Sequence, residues 1–333
     1  MSTVQPKERQ RFPGIDPIAL QHPYDRAALT ALQKVPGFDI AVRKFLEILP
    51  ERIAYIQNIA QSIRVSSRQC PRLYSLLQEA CAIIDVPEPE LYIAQMPMVN
   101  AYTSGHDHPY IVLHSGLVDL LSDDEVLAVI AHELGHIKAG HVLYKTMARS
   151  IGVLLSILGD MTLGLGRVVG RSLEIAFLEW DRKSEFTADR SAALVVQDAD
   201  VMVSVMMKLA GGTLMQRDQM DTKEFLKQAD LYEEIDINAL DRLYRLLMVT
   251  SVSHPLTVVR ARESVNWCES REYRAILDGN YPHVPGSAPR NGKSNGYGPH
   301  NEATDQAKTI FCPHCGREQA NRRFCSLCGS SIY

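Results

Sequence analysis

The residues with the clearest chemistry stand at 131–136, Ala-His-Glu-Leu-Gly-His. His132 and His136 are four apart, so on a helix they stack on one face, one turn above the other. Two imidazoles so placed can share one tetrahedral zinc, and Glu133 lies beside them, placed to polarise a water. H-E-x-x-H is short enough to arise by chance, and the competing explanation is a core helix carrying two satisfied histidines. Its surroundings favour the metal. Ser122-Asp-Asp-Glu125 has the form of a capping box with an acidic first turn. Val126, Leu127, Val129, Ile130 and Leu134 then make the following helix apolar and buried, with its end expected near Lys145.

A third ligand must be a carboxylate or imidazole from a separate helix. In Glu179-Trp-Asp-Arg-Lys-Ser-Glu185-Phe-Thr-Ala-Asp189, Glu185 and Asp189 are again one helical turn apart. Glu185 fits the ligand position, and Asp189 can accept from the free ring N–H of a zinc histidine and so set its tautomer. An ordinary charged helix face has the same spacing. His141, five residues past His136, falls well round the helix and is expected to be solvated or structural. The extended motif with Gly three residues and His six residues after the second ligand is absent, because Ala139 and Val142 occupy those places. His254, in a Ser-His-Pro turn, can donate a hydrogen bond to an oxyanion near the metal, or simply start a helix. Cys312-Pro-His-Cys315 and Cys325-Ser-Leu-Cys328 are two C-x-x-C knuckles with nine residues between them. That is a zinc-ribbon spacing, with a redox dithiol as the competitor. Two zinc ions are therefore expected, one catalytic and one structural.

The elements that must hold these residues are mostly helical. Residues 1–26 are polar and Pro-rich and are expected to form an extended surface arm. Helical periodicity starts near Ala27 and continues in blocks to about Ile84, a scaffold without a chemical signature of its own. After Pro87-Glu-Pro89 the period changes, and Leu91–Ala94 and Tyr110–His114 are expected as strands feeding the metal helix. A sheet edge beside a metal can pair with an extended peptide through its backbone. Residues 150–178 are rich in Gly, and their longest uncharged run is ten residues, Ser150–Gly159, against the roughly 18 needed for a span. A helical hairpin or cap over the site is favoured there, with membrane contact as the competing expectation. Met202, Met206 and Met207 read as core. The expected domains are a helical scaffold over 1–88, a metallopeptidase domain over 89–278, a flexible Gly/Pro-rich linker over 279–309 and a ribbon over 310–333.

Composition sets the broad class. The chain has 333 residues, is 46% hydrophobic and 22% charged, and carries a formal charge of −4, so it has no basic footprint for nucleic acid. Its first residues lack the apolar run of a secretory signal. Of seven cysteines, four are clustered and Cys70, Cys81 and Cys268 are scattered, which argues for reduced thiols plus a metal site. A cytoplasmic, possibly membrane-associated protein is the expectation.

Taken together, His132-Glu-Leu-Gly-His136, Glu185-Phe-Thr-Ala-Asp189 and Ser-His254-Pro resemble the HtpX-like zinc metalloproteases, the group that includes the CAAX prenyl proteases. Asn100-Ala101-Tyr102 and Ile111–Leu117 resemble that family's edge-strand region. The resemblance covers about residues 90–265. It implies an α+β, mostly helical gluzincin fold with a small sheet, and endopeptidase activity on protein or peptide substrates, with protein quality control as a setting. Residue by residue it implies His132, His136 and Glu185 as zinc ligands, Glu133 as general base, Asp189 behind the ligands, His254 at the transition state and Asn100–Tyr102 along the substrate. Many relatives are integral membrane proteins, and residues 150–178 depart from that pattern. The zinc ribbon lies outside the family's core pattern and is expected to meet a protein partner. From a different class comes a proteolytically inactive zinc scaffold that binds polypeptide, against which the intact Glu133 argues.

Overall fold

A computed structural model of the protein describes residues 8–48, 51–150, 166–234, 256–285, 309–311 and 318–320. His254, Cys312, Cys315, Cys325, Cys328 and residues 151–165 lie outside these. The chain is mostly helical with one small mixed sheet, as expected for an α+β metallopeptidase domain. Its first helices are α1 (Pro23–Gln33), α2 (Phe38–Ile48), α3 (Glu51–Gln61) and α4 (Pro71–Ile84). The sheet takes β1 (Ser62–Arg64), β2 (Glu90–Ala94), β3 (Ala101–Ser104) and β4 (Tyr110–His114) in the order β1-β2-β4-β3. β2 and β4 run parallel, with Glu90 opposite Tyr110 and Ala94 opposite His114, and β1 and β3 pair antiparallel outside them. β4 is buried at every position, which explains its uninterrupted apolar run Tyr-Ile-Val-Leu.

The short α5 (Ser115–Leu120) leads to α6 (Asp123–Lys138), which carries the H-E-x-x-H residues. The capping box starts α6 as expected: the Ser122 N–H donates to Glu125 Oε2 at 2.7 Å. The helix ends earlier than Lys145. Gly140 takes φ +72°, its N–H donates to Ile137 O at 3.1 Å, and the His141 N–H donates to His136 O at 2.9 Å. This pair of bonds is a Schellman stop with glycine in the left-handed position, and α7 (Val142–Arg149) follows in a new direction.

Of the hairpin or cap expected over 150–178, residues 166–178 are among those described. They are the first half of one long helix, α8 (Gly166–Val196), whose second half carries Glu185 and Asp189. α9 (Ala199–Gly211), α10 (Thr222–Glu234), α11 (Thr257–Glu269) and α12 (Arg271–Leu277) complete the main body. β5 (Thr309–Phe311) and β6 (Glu318–Ala320) form a separate antiparallel pair. Among the described residues, no helix is long and apolar enough to cross a membrane.

Two expectations about the chain's ends are corrected. Residues 8–26 are not a surface arm: Phe12, Ile15 and Leu20 are fully buried in the same core as α4, α6 and the end of α8. The three apolar side chains among the polar ones are what draw the segment in, and Arg9 pins it to Glu79 and Asp124. Residues 281–284, expected within the linker, are held to the N-terminal segment. Asp16 N–H bonds Pro282 O, Val284 N–H bonds Gly14 O, and Tyr281 packs edge-on against Phe12. One core therefore takes in residues on both sides of 88 and reaches Ile276.

Candidate metal centre

Helices α6 and α8 cross closely because neither presents bulk at the crossing. A Cβ built on Gly135 would meet Ser191 Cβ at 2.7 Å and Ala188 Cα at 3.0 Å. Glycine here lets the two backbones approach, and the face of α8 that results carries Glu185 and Asp189 straight to His132 and His136. His132 Nε2 lies 3.3 Å from Glu185 Oε2, and His136 Nε2 lies 3.3 Å from Glu185 Oε1. Among the described residues, these three are the group able to hold a metal ion, with donor atoms all within 4.8 Å of one another. Their expected convergence is thus observed.

The surroundings suit a divalent cation. Burial alone would push the Glu185 carboxyl up, but Lys145 and Arg260 nearby, and hydrogen bonds from both imidazoles, hold it well below the usual carboxylate range. Burial, reinforced by the Lys145 charge, holds His136 well below the usual histidine range and so neutral, the form in which imidazole binds metals. At His132 burial also opposes charge, yet hydrogen bonds with Asp189 and Glu185 win and raise it to about 9. Positive charge is thus favoured between His132 and Glu185, where a divalent cation would replace the proton. Two imidazoles and one carboxylate with room for a fourth partner is a donor set that fits zinc.

Asp189 lies behind His132, with its Oδ1 2.9 Å from His132 Nδ1. Arg260 on α11, which the sequence did not single out, clamps it bidentately, from Nε to Oδ2 at 2.8 Å and from Nη2 to Oδ1 at 2.6 Å. Burial would raise the Asp189 carboxyl, and Arg260 holds it low. Lys145, also unsignalled, donates to Glu185 Oε1 at 2.6 Å and to Asp181 Oδ1 at 2.8 Å. Glu133 reaches β3, where the Thr103 hydroxyl donates to its Oε2 at 2.7 Å. No local pattern marks Arg260, Lys145 or Thr103, since each lies on a different element from the carboxylate it contacts.

A cavity of about 250 Å³ opens onto this group, walled by Asn100, Ala101, Met202 and Met206 among others and containing Glu133 and the three ligands. The methionines are core residues as expected, and two of them also shape the cavity. Of the expected substrate residues, Asn100 and Ala101 border the cavity but Tyr102 does not. Side chains alternate along a strand, so Tyr102 turns to the opposite face of the sheet and packs with Tyr92, Tyr110 and Val112. A wider hollow of about 650 Å³, between residues 64–69 and 88–91, contains none of the metal-binding group.

Fold and site together define a metallopeptidase, with a metal-binding triad on two crossed helices, a carboxylate beside it and an edge strand along the cleft. Comparison with known proteins agrees. Residues 67–267 match the model of Peptidase family M48, and the chain belongs to that family. It is 39% identical over 270 residues to a protein of Arabidopsis thaliana named plastoglobule-localized metallopeptidase 48, chloroplastic, covering 80% of this chain and 77% of that one. It is 28% identical over 169 residues to protease HtpX homolog 2 of Methanosarcina mazei, covering 44% of this chain and 58% of the relative. A protease HtpX homolog of Trichormus variabilis is 26% identical over 233 residues, 60% of this chain and 74% of that one. No solved structure matches.

Proposed function

We propose that the chain is a zinc-dependent metalloendopeptidase that cleaves peptide bonds within protein substrates, in the setting of protein quality control. The observation that carries this is the placement of Glu133: its carboxylate is oriented by Thr103 and shares one cavity with His132, His136 and Glu185. Zinc held by those three would polarise the scissile carbonyl and bring the pKa of a water towards about 7. Glu133 takes the proton of the attacking water and delivers it to the leaving amine, so that hydroxyl ends on the acyl carbon and hydrogen on nitrogen. Asn100 and Ala101 border the path of the substrate, and His254 donates to the oxyanion. Replacing Glu133 with Gln should lower casein hydrolysis by at least about 10²–10⁴-fold while leaving zinc content unchanged. Near-normal turnover in that variant, or turnover insensitive to a zinc chelator, would refute the assignment.

Cys312, Cys315, Cys325 and Cys328 hold a second, structural zinc in this proposal, and the ribbon recruits a protein partner or substrate without joining the chemistry. A chain ending at Pro285, which keeps the contacts of residues 281–284 with the core, should then cleave a short fluorogenic peptide as fast as the full chain; loss of peptide cleavage in a folded truncation would contradict this. The free thiols Cys70, Cys81 and Cys268 support a reducing compartment such as the cytoplasm. Any membrane contact through 150–178 is peripheral, so a carbonate wash should release the protein.

A further inference from the structure

The two ligand histidines are supported differently from behind. His132 meets a carboxylate directly, whereas His136 meets another histidine. The Schellman stop at Gly140 takes residue 141 out of helical register and folds it back over His136. His141 is buried, and its Nδ1 lies 3.1 Å from His136 Nδ1. On its far side, His141 Nε2 lies 3.1 Å from Asp25 Oδ2. Asp25, in the first turn of α1, has no exposed surface. It also accepts from Trp180 Nε1 at 3.0 Å and from the Thr187 hydroxyl at 2.7 Å. It lies outside residues 67–267, the part of the chain that matches the family.

With both imidazoles neutral, one arrangement of protons gives Asp25 a donor at every contact and keeps the metal-facing nitrogen of His136 bare. Asp25 is ringed by donors, so it is the carboxylate, and His141 must present Nε2–H to it. That leaves the His141 Nδ1 lone pair to accept from His136 Nδ1–H. His136 Nε2 is then a bare lone pair aimed at Glu185 and His132. The reverse order would point the His141 Nε2 lone pair at a carboxylate and put a proton on the nitrogen that has to bind metal. We propose that Asp25 and His141 are positioning residues of the metal centre, a two-residue relay from the N-terminal segment that sets the tautomer and ring orientation of His136. The proposal rests on the metal site described under Proposed function, and it makes the segment around α1 a working part of that site.

The test is zinc affinity by chelator competition in the full-length protein, with the ribbon zinc as internal reference and His136→Ala defining the signal of the catalytic site. Asp25→Asn nearly conserves shape, but whichever way its amide sits, an NH₂ group faces either Trp180 N–H or His141. It should weaken the catalytic-site zinc by about 10–100-fold and leave the reference unchanged. ¹⁵N NMR of the zinc-loaded wild type gives a readout that mere packing would not produce: His141 neutral with its proton on Nε2, and His136 with its proton on Nδ1. Unchanged zinc affinity in a folded Asp25→Asn, or a His141 found as the Nδ1–H tautomer or as imidazolium, overturns the relay. Should Asp25→Asn fail to fold, the wild-type NMR assignment decides alone. If His136→Ala binds as much zinc as wild type, the metal-site assignment itself has failed, and the relay falls with it.

Discussion

The crossing of α6 and α8 at Gly135 makes the metal centre sensitive to a single methyl group. In Gly135→Ala the new Cβ would stand 2.7 Å from Ser191 Cβ, where ordinary contact begins at 3.4 Å. The helices would have to part by about 0.7 Å, the difference between those distances, unless Ser191 and Ala188 moved together. Metal ligands tolerate about ±0.2 Å, so a shift of that size separates Glu185 from the histidines by more than the site can absorb. Alanine favours helix over glycine by about 1 kcal/mol, and overpacking costs about 1–3 kcal/mol, so the net effect on folding is a loss of up to about 2 kcal/mol. At about 2–4 °C per kcal/mol, that is a drop in Tm of several degrees at most. The functional loss should be larger than the stability loss, because the displaced atoms are ligands. Zinc content by atomic absorption and unfolding by circular dichroism would be measured together. Adding Ser191→Gly, which removes the nearest clashing atoms, should restore zinc content in part. A Gly135→Ala protein with wild-type zinc content and wild-type Tm would refute the idea that this close approach sets the ligand geometry.

Two further outcomes follow from contacts around the site. Glu185→Ala should empty the catalytic site, whereas Asp189→Ala should weaken metal affinity or activity by about 10–100-fold, since Asp189 acts through His132; equal occupancy in wild type and Glu185→Ala would place the third ligand elsewhere. Glu125 accepts from Lys208 and Ser204 at 2.6 Å each. Burial pushes its carboxyl up, but those partners and the Ser122 N–H bring it below 4.5 overall. Its folded value is thus the depressed one. The stability it contributes is present above about pH 4.5 and is lost as pH falls through the folded value. The Tm difference between wild type and Glu125→Gln should therefore be full near pH 7 and shrink below pH 4.5, and a difference that persisted at low pH would contradict a charge-based contribution.

What the sequence determined by itself is whatever depends on neighbours along the chain. Helical geometry alone puts His132 above His136 and Glu185 above Asp189, and Ser122 with Glu125 marks the start of α6. The composition of residues 90–114 announces strands, although β3, four residues of mixed character without a clear period, was legible only through the resemblance of Asn100–Tyr102 to an edge strand. The same local logic set His141 well round the helix from His136, whereas the stop at Gly140 ends that helix and brings the His141 ring beside His136, buried and outside the ligand group. Only the tertiary structure decided the rest. Thr103 orients Glu133 from thirty residues upstream. Arg260 clamps Asp189 from 71 residues downstream. Asp25, which supports His141, lies in a segment that looked like a surface arm. These partners are single polar residues whose local surroundings carry no signal of their role. Their meaning comes from burial: once the core closes, each charge removed from water must find a partner, and the folded topology alone determines which partner stands within reach.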